Sequence, residues 1–360
     1  MQTQKDLDHA AEVLLWNKQL MSMLGLWPFR TNNFIFFINF GYFSFLMILE
    51  YLDLFLFIND LEHVIMNLTE NMAFSQIFVR MSMLRLYNCE IGEIITEAMK
   101  DFDKMSYKTA EEIKTFITYN AKSKIFVKLL IVFVALTASS YYLTPIIIIL
   151  GTGLPKIVIN ENMTQVIYLL PYRFHLFYAV ENMRTYMITY ALELPFVFVS
   201  GFGQSAADCI MVTLVFHICG QMSVLASRIN NINSDLLSCR REMRHVVQMH
   251  IRLLRMGKSI EKAFSITLLA HLFGATSLVC ILGYQILTSA KICAAFYECH
   301  WYNMPMENAR MIILCMARSQ KPLCLTAGKF TTFCLSTLTD IARFLLEILR
   351  FFFSDQQFLH

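Results

Sequence analysis

Residues 129–150 read LLIVFVALTASSYYLTPIIIIL, and that stretch decides the fold. Over 22 residues it holds no Asp, Glu, Lys or Arg. A helix needs about 20 apolar residues to cross a hydrocarbon core of about 30 Å, and in lipid only helices or closed barrels satisfy every backbone polar group. The stretch therefore reads as a membrane-spanning helix. Working outward, three more uncharged runs of similar length stand at 31–49, 209–227 and 263–290. Two further apolar runs carry charge: 68–88 is interrupted by Arg80 and Arg85, and 330–353 by Asp340, Arg343, Glu347 and Arg350. Counting both, and adding flanks, the expected spans are 31–58, 68–88, 125–150, 186–227, 263–289 and 328–353. The fold class is an all-α polytopic membrane bundle.

Composition agrees. The 360-residue chain is 56% apolar and 16% charged, with mean hydropathy +0.50, whereas soluble domains are apolar over roughly 45–50% and charged over about 25%. A net charge of +3, with no Lys/Arg cluster interleaved with aromatics, argues against nucleic acid as a partner. The ten cysteines form no CxxC pair, and none falls within 151–184, so disulfides are not expected to hold the fold. The N-terminal MQTQKDLDHAAEVLLWNKQL carries Lys5, Asp6, Asp8 and Glu12 where a secretory signal needs an apolar core. An internal helix is expected to direct insertion.

Orientation follows from Lys/Arg in the connections. Residues 59–71 have none, 151–184 three, 89–124 six and 228–262 eight. The N-terminal segment 1–30 and the loops 89–124 and 228–262 are thereby cytoplasmic, and 151–185 is extracellular. Two Asn-x-Thr acceptors, at Asn67 and Asn162, fall in the outward connections; Asn162 is the better glycosylation candidate, because Asn67 sits close to the bilayer. The count then breaks. The span 263–290 runs outward, yet 291–329 carries five Lys/Arg against two acids, a cytoplasmic balance. One inward-going helix is missing between Ser289 and Lys291, or the last two segments pack abnormally.

Several strings resemble the insect odorant receptor family. Arg318-Ser319-Gln320-Lys321-Pro322-Leu323, followed by Leu325-Thr326-Ala327-Gly328-Lys329-Phe330, is similar to its C-terminal signature, and Glu298-Cys299 with Trp301-Tyr302-Asn303-Met304-Pro305 to the segment before it. Gly203-Gln204-Ser205-Ala206-Ala207-Asp208 and His217-Ile218-Cys219-Gly220-Gln221 resemble the fourth helix, and Gly25-Leu26-Trp27-Pro28 the lead-in to the first. The resemblance covers nearly the whole chain. It implies a seven-helix subunit with a cytoplasmic N-terminus, joined to a shared odorant receptor co-receptor in a tetrameric, odorant-gated cation channel of the plasma membrane of olfactory neuron dendrites. It also implies that the last helix lines the pore, that the cytoplasmic segment 290–327 anchors subunits, and that volatile odorants bind in the outward half of the bundle.

Two departures stand beside it. Gly283-Tyr284-Gln285-Ile286-Leu287 resembles the end of the family's fifth helix, while Ala290-Lys291-Ile292-Cys293 resembles the start of the anchor, so the sixth helix is absent at the junction where the charge count fails. A skipped exon, a gene-model defect or a degenerate gene would each produce this, and a non-functional product is the alternative to a working receptor. In the final helix, Phe330, Leu335 and Thr339 are the pore and gating candidates, joined by Asp340, Arg343 and Glu347. The acids and arginines are spaced to share one helical face with Arg350, either as a pore-facing stripe or as neutralising intrahelical pairs.

No nucleophile elbow, P-loop or paired catalytic carboxylates occur, so no catalytic residue and no cofactor is expected. Gly201-Phe202-Gly203-Gln204-Ser205-Ala206-Ala207 fits the dinucleotide turn only formally; without βαβ alternation, its glycines suit close helix contact. His245 and His250 lack the zinc hydrolase spacing, and Cys293, Cys299 and His300 lack a fourth ligand, so no metal is expected. Near the outer end of the third span, Ala138, Ser139, Tyr141 and Tyr142 combine small, hydroxyl and aromatic groups suited to one wall of a ligand pocket, or to helix packing alone. Tyr168, Pro171, Tyr172 and Arg173 could lid that pocket or form an interfacial belt. The basic loop 228–262 could contact anionic lipid or another subunit.

Overall fold

The computed structural model describes residues 2–152, 156–160, 163–166, 168–172, 174–180, 182–232, 236–299, 301–319, 325–327 and 331–333. Helix α1 (Gln2–Met23) is followed by α2 (Asn33–Leu56), α3 (Leu61–Leu86), α4 (Asn88–Met99), α5 (Ala110–Thr152), α6 (Met183–Asn230), α7 (Leu236–Glu298) and α8 (Met306–Ser319). Two short antiparallel pairs accompany them: β1 (Lys156–Asn160) with β2 (Met163–Val166), and β3 (Leu325–Ala327) with β4 (Thr331–Phe333). Among the described residues, four helices are long and apolar enough to cross a membrane: α2, α5, α6 and the stretch Arg240–Ile281 of α7. α3 is a further 26-residue helix in which Glu62, Glu70, Arg80 and Arg85 interrupt the apolar run.

The charged connections expected as loops are largely helical. At about 1.5 Å per residue, the 43 residues of α5, 48 of α6 and 63 of α7 run well past a core of about 30 Å. Their charged ends continue the helices beyond the length a membrane core needs. The N-terminal segment is also built in: Leu7, Ala10, Leu14, Asn17 and Met21 are all buried, a stripe at helical spacing, and Asn17 donates to Thr213 Oγ1 of α6 at 2.8 Å.

Gly25 ends α1 at φ +74°. Its N–H donates to the Ser22 carbonyl at 3.0 Å and that of Leu26 to the Met21 carbonyl at 2.8 Å, the paired bonds of a Schellman stop. A side chain at Gly25 would lie 2.5 Å from the Asn32 carbonyl oxygen. Asn32 then caps α2, accepting from the backbone N–H groups of Phe34 and Ile35 at 3.1 and 3.3 Å.

α6 is the central helix. Half of its most apolar stretch is buried, against 6% in α5. Gly203 allows α3 to approach, since a Cβ there would stand 2.9 Å from Ile77 Cγ2 and 3.0 Å from Met81 Sδ; at Gly201 a Cβ would meet only Val134 Cγ1, at 3.9 Å. Outward-facing Phe34, Phe37, Phe45, Phe133, Leu136 and Phe198 are exposed, as lipid-facing side chains are.

The chain divides into two compact units, Met1–His271 and Leu272–His360. The first holds α1 to α6 and the beginning of α7. In the second, α7 continues to Glu298, a 3₁₀ turn (Trp301–Asn303) leads into α8, and β3 pairs with β4 in the register Leu325↔Phe333, Thr326↔Thr332 and Ala327↔Thr331. Residues 331–333, expected to begin the final helix, are extended instead, as the β-branched Thr326, Thr331 and Thr332 favour. The pore candidates Phe330, Leu335, Thr339, Asp340, Arg343 and Glu347, and the acceptor Asn162, lie outside the described residues.

Candidate functional site

Two prolines shape the outer end of the bundle. Pro145 interrupts α5 and Pro195 interrupts α6; each removes a backbone donor and loosens the turn before it. Tyrosines cross between the two loosened turns. Tyr142 donates its hydroxyl to the Tyr190 carbonyl at 2.9 Å, and Tyr190 returns its own to the Tyr142 carbonyl. Tyr42 of α2 donates to the Leu192 carbonyl at 2.7 Å. The three helices are thereby clasped around a buried interior.

That interior is acidic and aromatic. Glu50 of α2 and Glu193 of α6 are buried, and Glu70 of α3 accepts the Tyr141 hydroxyl. Phe74, Phe196 and Tyr172 meet edge to face among them, with ring centroids 4.8 Å apart for Phe74 and Phe196, and 5.0 Å for Tyr172 and Phe196. Tyr141 meets Tyr172 at 5.3 Å. At the margin, Asp53 accepts from Asn67 Nδ2 and pairs with His63 Nε2, each at 2.7 Å. The outer connection reaches in through buried Tyr172 and Phe174, and the His175 N–H donates to the Leu49 carbonyl at 3.3 Å.

Of the expected pocket wall, Ala138, Tyr141 and Tyr142 pack against this core. Ser139 is exposed, because one residue along a helix turns its side chain by about 100° away from the face shared by 138, 141 and 142. Pro171 and Tyr172 are buried beneath the connection, Tyr168 stacks on Tyr186 at 5.2 Å, and Arg173 lies outside the described residues. Asn67 is fully buried and bound to Asp53, so it offers no surface for a glycan. Sequence reasoning passed over Glu50, Glu70 and Glu193; the signal available was the carboxylates themselves, set in or beside membrane-length apolar runs.

Two further polar clusters lie below. In the spans, the buried Arg80 guanidinium stands 3.4 Å from Asp208 Oδ2 and 2.5 Å from His271 Nε2, and His271 Nδ1 is 2.8 Å from Gln76 Oε1. Ionisable groups in membrane helices pair in this way. At the end of the bundle where the basic connections lie, Arg228 donates to both Glu112 oxygens at 3.0 and 2.8 Å and to the Ser106 carbonyl at 2.7 Å. Asp101 receives Arg252 and lies 3.1 Å from His217 Nε2. Burial raises the Glu112 carboxyl pKa, but Arg228 and the Lys108 N–H outweigh it and hold it below its ordinary value. Burial and the neighbouring Arg228 charge lower His245, and burial foremost raises the Tyr107 hydroxyl. A cleft of about 700 Å³ opens at this end, where Glu93, Glu97, Arg252 and Arg255 face Pro28 and Phe29; it shares no residue with the outer cluster. Among the described residues, no group of three or more His, Cys, Asp and Glu side chains could hold a metal ion.

The chain matches the family model described as 7tm Odorant receptor in two stretches, residues 60–292 and 288–346. Two Drosophila melanogaster proteins are similar. Odorant receptor 85d is 23% identical over 176 residues, 39% of this chain and 43% of that protein. Odorant receptor 2a is 28% identical over 71 residues, 19% and 18% of the two chains. The alignments thus span less than half the length of these curated relatives. Among solved structures, the insect olfactory receptor OR5 from Machilis hrabei superposes with TM-score 0.58 at 14% identity, covering 95% of this chain and 98% of that one. The same receptor in complex with eugenol gives TM-score 0.55 at 14% identity, covering 94% and 97%. At that identity the likeness shows a shared fold.

Proposed function

Because the chain belongs to the 7tm Odorant receptor family, a family of receptors and not of enzymes, we propose that this multi-pass membrane protein is the odorant-binding subunit of a heteromeric, odorant-gated cation channel. Its partner is a shared co-receptor, and its place is the plasma membrane of olfactory sensory dendrites. The observation that carries the reading is the outer cluster: polar and aromatic side chains from α2, α3, α5 and α6 converge in the interior of a fold shared with a receptor solved with eugenol. Such surroundings suit a small volatile molecule with a polar handle. Binding there opens the channel only so far as the ligand prefers the open arrangement over the closed one.

The test is co-expression with the co-receptor and recording of odorant-evoked current. Current that depends on both chains supports the reading. Silence from a helix-restored chain at the cell surface, across a broad volatile panel, refutes it.

A second reading has its own observation. The family match falls into two stretches that meet at residues 288–292, and α7 runs through that junction without a turn. Both support a chain lacking one span, and hence a product that forms no channel. Transcript sequencing across Ser289 and Ala290 separates the readings: an intervening exon for about 20 apolar residues means a working receptor, and a continuous transcript favours the shortened product.

A further inference from the structure

The outer cluster holds two buried carboxyl groups that, among the described residues, no basic side chain pairs. Glu50 is fully buried and Glu193 nearly so, and neither oxygen of either carboxyl has a hydrogen-bond partner. Glu50 faces the Glu70 carboxyl and Asp53, and Glu193 faces the Tyr172 backbone and Glu70. Among the described residues, no Lys or Arg forms an ion pair with Glu50 or Glu193. The contrast with the other clusters is direct: Glu112 has Arg228 and Asp208 has Arg80. A buried carboxyl without a partner is costly, the more so within a membrane, and α2 and α6 bring Glu50 and Glu193 to the two sides of Glu70, which Tyr141 already partners.

The second observation is independent of the charges. Phe74, Tyr141, Tyr172 and Phe196 wall the same interior, with Tyr172 meeting Phe74, Tyr141 and Phe196 at centroid distances of 5.8, 5.3 and 5.0 Å. Aromatic faces attract a cation and also cover apolar surface. An inorganic divalent cation such as calcium instead takes six to eight oxygens, to roughly that number, where rings stand here. Carboxylate oxygens for a charged nitrogen and rings for the carbon skeleton form one arrangement.

Resting on the odorant-receptor reading above, we propose that the ligand is a protonated amine with an apolar, ring-sized body, its ammonium held between Glu50 and Glu193. The ammonium supplies the donors those carboxylates lack. A neutral volatile of the same shape leaves them unpartnered, and so binds more weakly.

The test uses the purified full chain in lipid nanodiscs, with phenethylamine, its neutral counterpart phenethyl alcohol, and a panel of neutral volatile esters and alcohols. Phenethylamine is expected to bind at least about tenfold tighter than the alcohol at neutral pH. Glu50→Gln and Glu193→Gln, which keep the shape of a protonated carboxyl, each remove that preference; a cooperative thermal unfolding transition reports that each variant is folded. Equal binding of amine and alcohol overturns the inference, and so does a preference that survives both substitutions, since the carboxyls would then act as neutral groups. Neutral volatiles bound without any amine preference overturn the amine inference alone, whereas a folded chain that binds nothing overturns the receptor reading with it.

Discussion

At the scale of single residues, the ion pairs differ by burial. Arg228 and Glu112 are both buried and doubly bonded, whereas the Lys124–Glu12 pair at 2.5 Å lies nearer the surface. Removing one partner of a buried pair strands the other, at a cost of about 3 kcal/mol. Arg228→Met is therefore expected to lower the thermal unfolding midpoint of the detergent-solubilised chain clearly, while Lys124→Met leaves it almost unchanged; equal midpoints would count against the pairing. His245 adds a pH dependence. Its folded pKa lies below the ordinary 6.5, so as pH drops under that value the unfolded chain takes up a proton that the folded chain resists. Stability then falls until the folded pKa is passed. Glu112 acts in the same direction lower down, its contribution being present above the ordinary 4.5 and lost as pH falls toward its depressed folded value. Midpoints measured from roughly pH 7 to pH 5 should decline less in His245→Gln than in the unsubstituted chain.

At the scale of elements, two glycines fix how helices end and meet. Gly25 stops α1 in a left-handed turn where a Cβ has no room, and a residue with a side chain there costs about 1–2 kcal/mol before any clash. Gly25→Ala is expected to lower the unfolding midpoint and to speed amide exchange at Leu26. Gly203 lets α3 lie against α6, with Ile77 and Met81 filling the space a side chain would take. Gly203→Leu should cost about 1–3 kcal/mol by overpacking, and pairing it with Met81→Ala should recover part of that loss in the same unfolding measurement. The sequence offered Gly203 as a helix contact through its small-residue string, but not the helix it contacts. The tyrosine clasp between Pro145 and Pro195 was not legible at all, since nothing in either apolar run marks which carbonyl a distant hydroxyl will reach.

At the scale of the whole molecule, the charge balance of the connections predicts a bundle inserted with its amino end in the cytosol. An epitope tag before Met1 is expected to bind antibody only after permeabilisation, and staining of intact cells would invert the outer and inner clusters described above. Much of this architecture was open to a reader of the chain. Runs such as 129–150 and 209–227 announce lipid as solvent because burying that much apolar length elsewhere is impractical, and the excess of Lys and Arg at 89–124 and 228–262 is the ground for the expected sides. Periodicity did not reveal that those basic stretches continue the helices, because a charged helix and a charged loop share the same composition. Tertiary structure alone decided the candidate site. Glu50, Glu70, Tyr141 and Glu193 are spread over more than a hundred positions and belong to four helices; their convergence depends on the depth, rotation and close approach of each helix, which side-chain packing sets and hydropathy does not record.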